Sequence, residues 1–177
     1  MKSILIIDSA ENYESEYAIK SLGGILRDIT VIKAANMNIH SCIGCNDCWL
    51  KTPGICSVKD GFEKILKSIL SHDYVLFIGR MTKLGFIDHK LKNIVDRLLP
   101  LLTMLIEIDG GQERHVPRYE KKINAGLLYT LPENKMKDGE VEYLEEWFSR
   151  FLLNFKMKSI GVHHASSYEE VIRCILS

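Results

Sequence analysis

Four of the chain's five cysteines lie within fifteen consecutive residues, CIGCNDCWLKTPGIC, and these thiols are the groups best suited to chemistry. They are Cys42, Cys45, Cys48 and Cys56, with the spacing C-x2-C-x2-C-x7-C. Three cysteines at two-residue gaps can bind three corners of a 4Fe–4S cluster, with the fourth ligand supplied from further along the chain. Structural zinc more often uses two separated pairs, and buried cysteines also occur unliganded or as redox-active thiols. The spacing leaves these readings open.

The composition is that of a globular domain. The chain has 177 residues, of which 46% are hydrophobic, so it can bury a core as one domain over residues 1–177. The formal net charge is zero, and no basic stretch predicts a nucleic-acid partner. No apolar run approaches the ~18 residues of a membrane span, and the first run soon becomes acidic, unlike a signal peptide. We therefore expect a cytoplasmic protein without a membrane partner, in which disulfides are disfavoured.

Five short apolar runs alternate with five helical patterns. The runs cover residues 3–8, 29–34, 74–78, 123–131 and 159–163. The helical patterns cover residues 18–26, 62–70, 91–102, 141–155 and 168–175, and residues 109–119 read as a polar loop. Asp60 and Glu63 resemble a capping box for the second helix. This alternation predicts an α/β fold, a doubly wound five-stranded parallel sheet in the flavodoxin-like order 2-1-3-4-5 with helices on both faces.

In such a sheet, ligands bind beyond the carboxyl ends of the strands. The loops after Asp8, Gly79 and Tyr129 are therefore the candidate binding loops. The cysteine segment follows the second strand, so it should lie at the same edge of the sheet.

The cysteine segment, KDGFEKIL after it, DYVLFIGR and LKNIVDRLLPLL together resemble the flavodoxin-like NADPH-dependent FMN reductases, and most of all the iron–sulfur flavoproteins. The resemblance is strongest over residues 42–100. It implies an FMN-binding redox protein, either an NAD(P)H-dependent flavin reductase or an electron-transfer flavoprotein, with a small-molecule electron donor and acceptor. It also implies a homodimer with the site at its interface, and a 4Fe–4S cluster held by the four clustered cysteines near FMN.

The resemblance also assigns residues to the flavin site, although no residue is assigned a catalytic role. The loop that touches the flavin ring is matched by Arg80, Met81, Thr82, Lys83 and Gly85. Independently of the resemblance, Tyr129 and Thr130 end the fourth strand, where we expect them either to border the flavin or to serve packing alone. The LKxxxDR helix that supports the flavin is matched by Lys92, Asp96 and Arg97. Arg97 also has a simpler interpretation, in which it pairs with Asp96 or binds neighbouring carbonyl groups.

The first loop departs from the family pattern. The family's phosphate loop reads like GSPRKNGNT, whereas this chain has DSAENYESEY. A phosphate cradle needs inward backbone N–H groups and hydroxyls, and the side chains here that can donate are Ser9, Asn12 and Ser15. The acids in the same segment are Asp8, Glu11, Glu14 and Glu16.

Two interpretations of these acids are open. Their charge weakens FMN binding by repulsion, or it only favours the N-terminus of the first helix through the helix dipole. The acidic loop also supports an alternative function. In that alternative, the domain has lost FMN and serves as a binding module or a regulatory module that senses thiols or metals.

Overall fold

A computed structural model describes residues 2–131 and 139–177. The strands are β1 (Ile4–Asp8), β2 (Ile29–Lys33), β3 (Tyr74–Arg80), β4 (Leu102–Asp109), β5 (Gln112–Pro117), β6 (Asn124–Thr130) and β7 (Lys158–His164). The helices are α1 (Tyr13–Ile25), α2 (Asp47–Leu50), α3 (Phe62–Ser71), α4 (His89–Asp96), α5 (Glu140–Asn154) and α6 (Tyr168–Leu176). Within the described ranges, no helix is long and apolar enough to cross a membrane.

The main sheet has the order β2-β1-β3-β6-β7, and every pairing in it is parallel. These are the five predicted strands in the order 2-1-3-4-5, so the flavodoxin-like fold is confirmed. The central strands read as continuous apolar runs because helices cover both faces of the sheet.

Two hydrophobic cores lie on opposite faces of the sheet. Alternate residues of β1 point to opposite sides, so Leu5 and Ile7 pack in the core formed with α3, α4 and α5. Ile4 and Ile6 pack on the other face with α1 and α6. Because the strands are parallel and helices cover both faces, the carboxyl ends of the strands and the loops that follow them lie together at one edge of the sheet.

The predicted polar loop over residues 109–119 was wrong in part, because β4 and β5 form an antiparallel hairpin outside the main sheet. Asp109 pairs with Gln112, and the two residues between them, Gly110 and Gly111, both have positive φ. This two-residue turn favours glycine, so the sequence DGGQ contained the signal for a hairpin. The predicted helix reaching residue 102 is also shorter: α4 ends at Asp96, since proline at position 100 does not continue an α-helix.

The predicted capping box at α3 is not formed. Gly61 is the N-cap with φ of 86°, and no side chain caps the helix there. Asp60 Oδ1 instead accepts a hydrogen bond from Phe62 N over 3.2 Å. The other carboxylate oxygen of Asp60 binds Arg97, a partner 37 residues away in sequence.

Candidate functional site at the carboxyl edge of the sheet

The three candidate binding loops meet at the carboxyl edge. Asn12 Nδ2 donates to Thr130 Oγ1 over 2.8 Å, which joins the first loop to the end of β6. The backbone N–H of Met81 donates to the carbonyl of Thr130 over 2.9 Å, which joins the loop after β3 to the same residue. Leu131 N donates to a carboxylate oxygen of Glu14 over 3.3 Å. The tertiary structure therefore brings together most of the residues assigned to the flavin site.

The polar side chains of the first loop are used to build the loop itself. Asn12 is the N-cap of α1: its Oδ1 accepts from Ser15 N over 2.9 Å, and Ser15 Oγ accepts from Asn12 N over 3.1 Å. Ser9 Oγ donates to the carbonyl of Ile78 over 2.8 Å. Ser9 and Ser15 are fully buried. The three side chains predicted as ligand donors, Ser9, Asn12 and Ser15, thus each have an internal partner.

Asp8 lies at the centre of this loop with a fully buried side chain. Its Oδ1 accepts hydrogen bonds from the backbone N–H groups of Ala10 and Glu11, each over 3.1 Å. Its Oδ2 lies 3.1 Å from Lys33 Nζ and 3.3 Å from Ser15 Oγ. The parallel register pairs Asp8 with Lys33, so both side chains leave the sheet on the same side.

The loop after β3 presents two cations and a tight turn. Arg80 and Lys83 are exposed, whereas Met81 is fully buried in the hydrophobic core. Gly85 N donates to the carbonyl of Thr82 over 3.1 Å, and Gly85 has φ of 73°. A ligand at this loop would therefore meet the side chains of Arg80 and Lys83 rather than that of Met81.

Tyr129 and Thr130 lie at the end of β6, both buried. The Tyr129 ring packs edge-to-face against His164, with ring centroids 5.4 Å apart. Burial, with a smaller contribution from the negative charge of Glu145, raises the pKa of the Tyr129 phenol. Thr130 accepts the hydrogen bonds from Asn12 and Met81 described above.

The cysteine segment forms a second cluster, packed against the end of α4 and residues 99–100. The four thiols line one small cavity of about 30 Å³: Cys42, Cys45, Cys48 and Cys56. Arg97, Leu99 and Pro100 complete part of its wall. The structure thus places the four cysteines on the wall of one cavity.

The thiols influence one another electrostatically. Burial raises the pKa of Cys48, and the neighbouring thiols of Cys56, Cys42 and Cys45 raise it further. Cys45 Sγ lies 3.3 Å from Ser57 Oγ. Within residues 2–131 and 139–177, no three His, Cys, Asp or Glu side chains converge closely enough to hold a single metal ion.

Arg97 holds both ends of the cysteine segment. Its side chain is 1% exposed and forms an ion pair with Asp60. It donates to the carbonyl of His40 over 3.0 Å, before the first cysteine, and to the carbonyl of Val58 over 3.2 Å, after the last. Its Nη2 also donates to Cys56 Sγ over 3.3 Å. Although burial opposes its charge, the hydrogen bonds to Asp60 and Cys56 raise the pKa of Arg97.

The other two residues of the LKxxxDR match pair with each other, since Lys92 Nζ binds the carboxylate of Asp96 on the exposed side of α4. Arg97 therefore does not pair with Asp96, and its binding of neighbouring carbonyls is confirmed. The Asp60 partner was missed because nothing local in the sequence links positions so far apart.

The β4–β5 hairpin is attached to the cysteine segment. The Trp49 ring packs on His115 with centroids 4.6 Å apart, and Trp49 Nε1 donates to the carbonyl of Leu99 over 3.0 Å. The Arg118 guanidinium donates to the carbonyls of Pro100 and Leu102, each over 3.1 Å. The hairpin and the cysteine segment therefore form one packed unit.

A polar cavity of about 520 Å³ lies beside the first loop, between residues 34–41 and the start of α4. His40, His89 and Lys90 line it with Asn93. The described lining residues include no Asp or Glu, although Asn36 of the wall donates a hydrogen bond to Glu11. Its size is within the range of small-molecule sites.

Comparison with known proteins shows the fold. The chain matches no protein-family model and no curated protein sequence. Its structure is similar to the azoreductase of Bacillus anthracis str. Sterne, with a TM-score of 0.59 and 10% identity over 99% of this chain and 96% of that one. It is similar to an NADH:FMN oxidoreductase in its apo form, with a TM-score of 0.57 and 14% identity over 99% of this chain and 89% of that one. The fold is flavodoxin-like.

A third similar structure is an FMN-dependent NADH-azoreductase of Bacillus anthracis str. Ames Ancestor in complex with FMN. Its TM-score is 0.55, with 12% identity over 98% of this chain and 93% of that one. Whether this chain can hold FMN in the same way depends on the residues of its first loop.

The first loop does not fit an FMN phosphate. A phosphate at the end of β1 needs free N–H donors, but the amides of Ala10 and Glu11 already donate to Asp8. Asp8 also brings a negative charge to the position where the phosphate charge would lie. Of the other acids, Glu14 binds Leu131 N, and Glu16 is exposed. The residues therefore do not support a tightly held phosphate in this loop.

Proposed function

We propose that this chain is a redox protein of the flavodoxin-like fold, an NAD(P)H-dependent flavin oxidoreductase that uses flavin as an exchangeable substrate. The observation that carries the proposal is the meeting of the three binding loops at Thr130, on the edge where such folds bind ligands. The similar solved structures described as NADH:FMN oxidoreductase and FMN-dependent NADH-azoreductase support the same class of reaction. The small-molecule donor and acceptor would then both be transient ligands.

An exchangeable flavin agrees with the closed first loop. A flavin reductase transfers a hydride from NAD(P)H to oxidised flavin, which also takes a proton from water and leaves as reduced flavin. The product must dissociate, so a strong phosphate cradle is not needed. Arg80 and Lys83 remain as exposed cations for the anionic groups of NAD(P)H.

The polar cavity beside the first loop is our proposed site for the phosphates of NAD(P)H. Lys90, His40 and His89 line the cavity and can donate hydrogen bonds to phosphate oxygens. Because these side chains are exposed, we expect Lys90→Ala to raise the KM for NAD(P)H by about two- to fivefold. Lys67→Ala, an exposed lysine on α3 away from the cavity, is the matched control.

The direct test is a steady-state assay with NADH or NADPH as donor and FMN or riboflavin as acceptor. We expect flavin-dependent loss of nicotinamide absorbance with at least one pair. If no pair reacts above the rate without protein, under anaerobic as well as aerobic conditions, the proposed activity is wrong.

A second candidate function belongs to the cysteine segment. The placement of all four thiols on one cavity supports either a 4Fe–4S cluster, as in the iron–sulfur flavoproteins, or a thiol- or metal-sensing module in a domain without FMN. Thiolates are the usual ligands of such a cluster, but the thiols as they lie here do not converge on one metal position, so loading a cluster would require the segment to rearrange. We place such a centre in a reducing compartment such as the cytoplasm.

Anaerobic purification followed by absorption spectra and assays for iron, sulfide and zinc tests this second function. Iron and sulfide in equal amounts support a cluster, and zinc alone supports a metal-sensing module. Four free thiols and no metal leave only the thiol function, which reversible disulfide formation under mild oxidant would then have to demonstrate.

We also propose a homodimer. The hairpin exposes a run of large apolar side chains: Met104, Leu105, Ile106 and Ile108. A concentration of exposed large apolar side chains on one hairpin favours a protein interface. Light scattering of wild type and of Leu105→Glu tests the proposal, which predicts a dimer for the first and a monomer for the second.

A further inference from the structure

Asp8 is a buried carboxylate at the functional edge that the proposed reaction does not use. We propose that Asp8 is an internal occupant of the anion cradle formed by the first loop, so that this chain selects flavins that lack the 5′-phosphate. The inference rests on the proposed function for its substrate class. The occupancy of the cradle by Asp8 can be tested without flavin.

The contacts of Asp8 are those that a bound anion would make. Oδ1 accepts from two successive backbone N–H groups, of Ala10 and Glu11, both over 3.1 Å. Successive inward amides of this kind form anion-binding nests in proteins. Oδ2 binds the ammonium group of Lys33 over 3.1 Å, and Ser15 Oγ lies within 3.3 Å. Amides, a hydroxyl and a cation thus surround one carboxylate.

The backbone is shaped around this carboxylate. The backbone N–H of Glu11 donates a hydrogen bond to Asp8. Glu11 has φ of 43°, a left-handed conformation that costs energy for a residue with a side chain. The hydrogen bond from the Glu11 amide to Asp8 is one of the contacts that hold the loop in this conformation. The conformation of the loop therefore directs its own amides toward the Asp8 carboxylate.

The charge balance also opposes a second anion. Asp8 and Lys33 neutralise each other, so the cradle offers no net positive charge to a phosphate. The Asn12 amide is engaged by Thr130, and the Ser9 hydroxyl by the carbonyl of Ile78. A phosphate could gain the two amides only by displacing Asp8 from a buried position. A flavin without the phosphate avoids this cost.

The first experiment follows the amide signals of Ala10 and Glu11 by two-dimensional NMR while inorganic phosphate is added. In wild type we expect these signals to stay in place. In Asp8→Gly, which frees both amides and Lys33, we expect saturable shifts with an affinity at least about tenfold higher, the size of one charge-assisted hydrogen bond. Asp8→Asn keeps an oxygen acceptor for the amides and should gain less.

The matched control is Glu16→Gln, which removes an exposed acid from the first turn of α1 and should leave the response unchanged. Should Asp8→Gly not fold, Asp8→Asn decides, because its side chain has the same shape and only the charge is removed. Phosphate shifts in wild type as large as those in the Asp8 variants, or no gain in either variant, would overturn the inference.

The second experiment compares riboflavin and FMN by quenching of flavin fluorescence. We expect wild type to bind riboflavin more tightly than FMN, and Asp8→Gly to tighten FMN by about tenfold without changing riboflavin. Equal affinity for the two flavins in wild type overturns the selectivity while leaving the proposed function intact. If neither flavin binds any variant but phosphate still shifts Ala10 and Glu11 in Asp8→Gly, the proposed function fails and the occupancy by Asp8 stands.

Discussion

Arg97 Nη2 donates a hydrogen bond to Cys56 Sγ over 3.3 Å, while the other terminal nitrogen of the same guanidinium pairs with Asp60. One buried cation therefore ties the end of α4 to the last cysteine and to the start of α3. The cysteine segment has little regular structure of its own, so this residue does much to hold it in place.

Removing that cation should destabilise the protein strongly. We expect Arg97→Met to lower the free energy of unfolding by about 3–5 kcal/mol, because Asp60 is left buried with an unpaired charge. Lys92→Met, which breaks the exposed pair with Asp96 one turn earlier, should cost less than about 1 kcal/mol. Urea unfolding measures both. If the two variants lose a similar free energy of unfolding, the Arg97–Asp60 pair contributes no more than an exposed ion pair.

The cysteine cavity predicts a specific loss on mutation. If the four thiols hold a cluster, Cys45→Ser should lower bound iron and sulfide together while circular dichroism shows an intact fold, since Cys45 is exposed. Cys174→Ser, at an exposed position on α6, should retain both. Full iron content in Cys45→Ser would contradict a cluster ligand at this position.

Acid stability should depend on Asp73. A hydrogen bond from Lys121, followed by bonds from Ser3, lowers the pKa of Asp73 from 3.8 to about 2. A lowered pKa stabilises the folded state above the unfolded-state value and loses that contribution as pH falls through the folded value. The effect therefore disappears between about pH 4 and pH 2.

Because the Asp73 side chain is 44% exposed, solvent screening limits its contribution to about 1 kcal/mol or less. Asp73→Asn should be less stable than wild type at neutral pH, and the difference should vanish near pH 2. Glu120→Gln, at an exposed loop position, serves as control. A difference that persists unchanged to low pH would assign the effect to packing and not to charge.

The turn after β3 should be sensitive to a side chain at Gly85. Its φ is 73°, and a Cβ there would meet the flexible end of Glu140 at 2.6 Å. We expect Gly85→Ala to cost at least about 1–2 kcal/mol, from the left-handed backbone and from the close contact with the Glu140 side chain. Gly23→Ala in α1 meets nothing within 4 Å and should stabilise by about 0.5–1 kcal/mol. Thermal unfolding distinguishes the two signs.

The fold could be predicted because its signals are local. Apolar runs such as that of β1 and helical patterns such as that of α3 depend on residues close in sequence, and their alternation restricts the sheet to few topologies. The hairpin is the exception: its signal, Gly110 and Gly111, is equally local, but a polar stretch with two glycines is also typical of a loop.

The sequence by itself determined which residues could act at the site: the four clustered thiols, the acids of the first loop and the loops that follow the strands. Only the tertiary structure decided how they are used. The parallel register of β1 and β2 places Lys33 beside Asp8, and the buried Asp8 side chain accepts hydrogen bonds from amides of its own loop. Arg97 forms its ion pair with Asp60 and not with its sequence neighbour Asp96. Hydrogen bonds and ion pairs depend on distances of a few ångströms between atoms from remote segments, and those distances exist only once the chain has folded.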